Sequence, residues 1–91
     1  MSEIRVTALY KFVRFDSPEA LREPLFERLS KLGVKGTILL ATEGVNGTIA
    51  ATPDAMDEAL AAICALPGCA ELEWKDSHAE AMPFLRLKVR L

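Results

Sequence analysis

The sequence predicts an α+β domain in which two helices cover one face of an antiparallel sheet. Three observations predict it. Apolar residues alternate with polar ones near both ends of the chain, at residues 4–15 and 84–91. That period of two belongs to strands buried on one side. Two internal stretches open on Ser-Pro and Thr-Pro and continue with leucines or alanines at helical spacing. Between them lies VKGTILLATEGVNGTIAA, residues 34–51, where two β-prone runs flank a polar, glycine-punctuated connection.

In the first strand Ile4, Val6, Ala8, Tyr10 and Phe12 fall on one side and Arg5, Thr7, Leu9 and Lys11 on the other, so the even side is expected in the core. Ser17-Pro18-Glu19 then starts a helix: Ser17 suits the N-cap, Pro18 the first position, and Glu19 the positive end of the helix dipole. Leu21, Leu25, Leu29 and Leu32 form its apolar stripe, with Phe26 at the margin. Gly33 provides a left-handed C-cap. Pro24 removes an internal hydrogen bond, which predicts a kink or a main helix beginning near Glu23. The runs 37–41 and 48–51 read as a hairpin turning at Asn46-Gly47, a pair that tolerates the positive φ of a type I′ turn.

Thr52-Pro53-Asp54 repeats the helix-opening device, and Met56, Ala59, Leu60, Ile63 and Leu66 make the second stripe before Pro67-Gly68 stops it. Residues 72–75 form a short strand, 76–83 a loop, and 84–91 a final strand whose Leu85, Leu87, Val89 and Leu91 alternate with Arg86, Lys88 and Arg90. The order β-α-β-β-α-β with one extra strand is that of the ferredoxin-like plait. Its second sheet face is left open for a partner. The sequence leaves open which of the last two strands completes the plait.

At 91 residues the chain is read as a single domain, residues 1–91. Its 51% hydrophobic and 26% charged residues fit a globular protein, and its net charge of −2 gives no global attraction to nucleic acid. No apolar run approaches the ~20 residues of a membrane span, and the start MSEIRV lacks a signal core, so a cytoplasmic location without membrane contact is expected. Cys64 and Cys69 lack CxxC spacing and are read as reduced, non-catalytic thiols. A zinc site from two cysteines and the single His78 is not expected, and no cofactor site is identified.

Three groups are candidates for chemistry or binding. Arg86, Lys88 and Arg90 form a cationic strand side suited to phosphates, which Arg5 and Lys11 would extend if the first strand lay nearby. An ordinary solvated or domain-docking face explains the same charges, and exposed aromatics for base stacking are not evident. In the TEGVNG hairpin, Glu43 and Asn46 offer an acceptor and a donor beside glycine-rich backbone. Trp74-Lys75-Asp76-Ser77-His78 is expected as a polar cluster leaving a strand end, where Lys75, Ser77 and His78 would orient a substrate phosphate or base, although ordinary surface loops share this composition. No nucleophile and base pair is apparent, so no catalytic residue is assigned.

The blocks Gly36-Thr37-Ile38-Leu39-Leu40-Ala41, Glu43-Gly44-Val45-Asn46-Gly47-Thr48, Trp74-Lys75 with Ser77, Pro83-Phe84 and Arg86-Leu87-Lys88-Val89-Arg90 resemble, in register along the whole chain, the N-terminal domain of the rhodanese-domain-containing UPF0176 family. The resemblance implies an acylphosphatase-like plait belonging to a bacterial tRNA uridine 5-hydroxylase, with tRNA as partner and molecular oxygen as co-substrate. It also implies a following rhodanese domain that carries the reactive cysteine. Neither Cys64 nor Cys69 stands in that loop context, so the 91 residues alone are expected to be inactive, positioning tRNA or packing against the rhodanese domain.

Two other classes stand beside this one. A non-catalytic interaction module would bury open-face apolar residues such as Leu9 and Val13 against a partner. An acylphosphatase would need a glycine-rich cradle with an arginine after the first strand, whereas Phe15-Asp16-Ser17-Pro18 has neither, and Asn46 alone does not replace it.

Overall fold

The computed structural model describes residues 3–91. The chain runs β1 (Ile4–Phe12), α1 (Pro18–Lys31), β2 (Lys35–Ala41), β3 (Gly44–Ala51), α2 (Pro53–Cys64), β4 (Glu73–Ala79) and β5 (Leu87–Arg90). The strands form one sheet in the order β4-β1-β3-β2-β5. β4 is thus the fourth plait strand beside β1, and β5 is the accessory on the far edge. The sheet is mixed rather than wholly antiparallel, because β5 runs parallel to β2. A strand placed next to β2 after residues 80–86 have carried the chain from one edge to the other arrives in that direction.

Both helices form where their caps predict. Ser17 occupies the N-cap of α1 but makes no side-chain cap bond, so Pro18 at the first position and Glu19 in the first turn mark the start. The helix is continuous through Pro24, without the delayed start expected near Glu23. At its end Gly33, at φ +77°, donates to Ser30 and Val34 donates to Leu29, both at 3.1 Å. This is the Schellman arrangement, which satisfies two terminal carbonyls. In α2 the Thr52 hydroxyl accepts from the Ala55 N-H.

Leu25 and Leu29 of α1 and Met56, Ala59, Leu60 and Ile63 of α2 close over Leu9, Ile38, Leu40, Val45, Ile49 and Val89 of the sheet. The Arg22 guanidinium donates to the Val89 carbonyl at 2.6 Å, tying α1 to the accessory strand. Leu85, expected in the core, is 95% exposed because β5 begins only at Leu87. No helix among the described residues is long and apolar enough to cross a membrane.

Three strand expectations are corrected. β1 is buried on its odd side, with Thr7 and Leu9 inward and Ala8, Tyr10 and Phe12 exposed. The hairpin turns at Thr42-Glu43, and Asn46-Gly47 lies inside β3, opposite Leu39 and Ile38. Gly47 is required there because a Cβ would collide with the Thr37 carbonyl and the Ile38 Cα of the neighbouring strand. No non-glycine residue has positive φ among the described residues, so the turn is not type I′. Finally, β4 extends to Ala79, so Asp76, Ser77 and His78, expected in a loop, continue the edge strand that contains Lys75.

Candidate nucleic-acid interface

The strand registers sort every sheet residue onto one of two faces, since directly opposed residues point the same way. On the open face one row across the sheet reads Glu73, Tyr10, Asn46, Leu39, Arg90. The next reads Lys75, Ala8, Thr48, Thr37, Lys88, and a third runs from Ser77 through half-buried Val6 and fully buried Ala50 to Lys35, so the face is open only along the first two rows. Arg86, one residue before Leu87, takes the same side by alternation and lines a cleft with Gly36, Thr37, Phe84 and Lys88.

Arg86, Lys88, Arg90, Lys75, Ser77 and Asn46 therefore share this face although they come from three different strands. Glu43 lies in the Thr42-Glu43 turn at one end of it and lines a cleft of about 400 Å³ with Tyr10, Phe12, Ala41, Gly44 and Asn46. Lys35 adds a fifth cation that the sequence pattern does not single out. Among the described residues this side gathers five cations against the carboxylates of Glu73 and, in the turn at its end, Glu43, whereas Glu19, Glu23 and Glu27 sit on α1 and Asp54, Asp57 and Glu58 on α2. The charge separation gives a nearly neutral chain one basic side.

Arg5 does not extend that side, because its odd register turns it toward the helices. Its Nε and Nη2 reach the two carboxylate oxygens of Asp76 at 2.9 and 3.1 Å, and Nη1 reaches Asp57 at 2.7 Å. The buried Thr7 hydroxyl donates to the same Asp76 carboxylate at 2.7 Å. The Arg5 bond, supported by Thr7, holds the Asp76 carboxyl below its ordinary range, while the Asp76 bond raises Arg5. Lys11 shares the odd register and likewise leaves the open face. Leu9, considered for partner contact, is a core residue, and Val13 packs partly buried against that core.

Exposed aromatics, not evident in the sequence pattern, are present on this face. Tyr10 and Phe12 are 45% and 83% exposed, with ring centroids 5.8 Å apart and planes at 60°. The reversed facing of β1 is what brings them outward. Tyr10 Oη donates to Glu73 at 3.2 Å, a bond that raises the phenol pKa.

The loop after β1 begins at Val13, not Phe15, and so does contain an arginine, Arg14. Its sequence Val13-Arg14-Phe15-Asp16-Ser17 still has no glycine. The Val13 and Phe15 N-H groups donate to the Glu43 and Thr42 carbonyls, both at 3.1 Å, so neither is free to bind an anion. Cys69 is fully buried, and burial pushes its thiol pKa up, the opposite of an activated nucleophile. The described residues contain no cluster of three or more potential metal ligands.

A plait of this topology, though not this loop, is shared with acylphosphatases of known structure. The acylphosphatases from Coxiella burnetii and Bacillus subtilis superpose with TM-scores of 0.69 and 0.60, covering 98% and 94% of this chain and 94% and 97% of theirs. At 14% and 12% identity that likeness concerns the fold alone. Residues 4–91 match the UPF0176 acylphosphatase like domain, and the chain belongs to that family.

The curated relatives named tRNA uridine(34) hydroxylase include those of Gluconobacter oxydans, 58% identical over 97% of this chain, and Caulobacter vibrioides, 56% identical over 100%. That of Jannaschia is 56% identical over 94%. The chain spans only 28–29% of the length of these relatives.

Proposed function

We propose that this chain is the N-terminal domain of a tRNA uridine(34) hydroxylase and that its open sheet face helps position the tRNA. The observation that carries the reading is the 58% identity, across nearly the whole chain, to a protein of that name. The sheet adds a physical rationale: Lys35, Lys75, Arg86, Lys88 and Arg90 are gathered on one side, away from the helix carboxylates. In this reading the reactive cysteine belongs to the rhodanese domain. Exposed Leu85 and Leu91 favour a second contribution, packing of this domain's β5 end against that catalytic domain.

The test uses the full-length protein bearing Arg86→Ala, Lys88→Ala and Arg90→Ala. If all three contact phosphates, tRNA binding weakens and the slope of log K against log salt falls by about 2–3. Formation of 5-hydroxyuridine in cells lacking the native gene falls with it. Unchanged binding would remove the basic strand from the RNA contact. A full-length protein that leaves tRNA uridine unhydroxylated would refute the assignment itself. The 91-residue chain alone is expected to form no 5-hydroxyuridine on unmodified tRNA.

A further inference from the structure

We infer that the β1 end of the open face is a stacking site for unpaired bases, so that this domain holds single-stranded RNA more tightly than duplex. The inference rests on reading this face as RNA-bearing and adds the two aromatic side chains that charge alone does not explain. Tyr10 and Phe12 project from alternate positions of β1 beside the Thr42-Glu43 turn, and Phe12 is 83% exposed. Exposed aromatics on an open plait sheet present π-faces on which any base can stack, whereas a paired base inside a helix cannot reach them.

The surroundings suit such an occupant. Asn46 is the direct neighbour of Tyr10 and lines the same cleft, so its amide offers one donor group and one acceptor to a base edge. One row further along the sheet, Ala8, Thr48 and Thr37 form a low floor between Lys75 and Lys88. Four strand spacings separate those two lysines, about 19 Å at ~4.8 Å each. A sugar-phosphate backbone laid over the floor meets a cation at each end, while its bases reach the row of Tyr10, Asn46 and Leu39. Glu73, the carboxylate of this row, is occupied as acceptor for Tyr10 Oη.

The test titrates the 91-residue chain with a fluorescent oligouridine and with an RNA duplex of equal length. Tyr10→Ala with Phe12→Ala should weaken oligouridine binding about 10-fold or more and leave duplex binding and the salt slope unchanged. Tyr10→Leu with Phe12→Leu, which keeps apolar area but removes the π-faces, should behave like the alanine pair. Both substitutions fall on exposed positions, and an unchanged circular-dichroism melt confirms folding. Leucine variants that bind oligouridine as well as the parent overturn stacking. If they do so while the Arg86, Lys88 and Arg90 triple variant loses both RNAs, the RNA-bearing face stands without it. A chain that binds neither RNA overturns the inference and leaves the aromatics to protein docking. The cellular 5-hydroxyuridine measurement judges the functional assignment separately.

Discussion

Replacing Asp76 by asparagine probes the Arg5, Thr7 and Asp76 cluster that gives β1 its facing. The amide keeps the shape and one acceptor oxygen but removes the charge answered by Arg5. Hydrogen bonds to charged groups contribute about 1.5–3 kcal/mol, whereas exposed ion pairs contribute only about 0.2–1 kcal/mol. The Arg5 side chain is 15% exposed and that of Asp76 35%, which places the pair between these cases. A loss of about 1–2 kcal/mol at pH 7 follows from those two bounds. With a urea slope of about 1 kcal/mol/M for a domain this small, the unfolding midpoint drops by roughly 1–2 M.

The pH dependence adds a second, independent condition. The folded-state pKa of Asp76 lies below its ordinary 3.8, so its contribution is complete above that value and is lost as pH falls through the lower one. The gap between parent and Asp76→Asn must therefore be full at pH 7 and shrink below pH 3.8. Urea melts followed by circular dichroism measure both. A gap under about 0.5 kcal/mol, the range of ordinary surface changes, would refute the reasoning. So would a gap that stays constant down to roughly pH 2.5.

Three further outcomes are expected. Gly47→Ala should destabilise by about 2 kcal/mol or more in thermal or urea melts, because backbone of the adjacent central strand cannot yield to the added Cβ. Gly33→Ala has open space around it and should cost about 1 kcal/mol, the penalty of its left-handed φ. In thiol labelling of the native chain, Cys64 should react while Cys69, fully buried and with its pKa raised, waits for unfolding. Equal rates would contradict that burial.

Much of the fold was legible because its signals are local. Ser17-Pro18, Thr52-Pro53 and Gly33 mark helix ends through backbone geometry that depends on nearby residues only. The α2 stripe of Met56, Ala59, Leu60 and Ile63 names its own buried face. Val89 and the three basic residues beside it were legible for the same reason, since the two sides of that strand differ sharply. The pattern singled out Lys75, Arg86, Lys88 and Arg90 but not Lys35, Tyr10 and Phe12, and Arg5 and Lys11 lie on the other side.

What remained hidden depends on partners far along the chain. In β1 the even column is the more apolar, so alternation established the strand but pointed to the wrong column as the inward one. The inward turn of Thr7 and Arg5, which accompanies burial of Leu9, is satisfied by hydrogen bonds to Asp76 and Asp57 on β4 and α2. Asn46-Gly47 is a strong local turn signal, yet Gly47 lies in the middle of the sheet because the close approach of β2 requires a residue without Cβ. β4, paired to β1 along an exposed edge, needs no apolar pattern to form, which is why residues 76–79 read as loop. Residue order thus carried the elements and their ends. The assembled sheet chose the outward face of β1, and with it the aromatics of the open side.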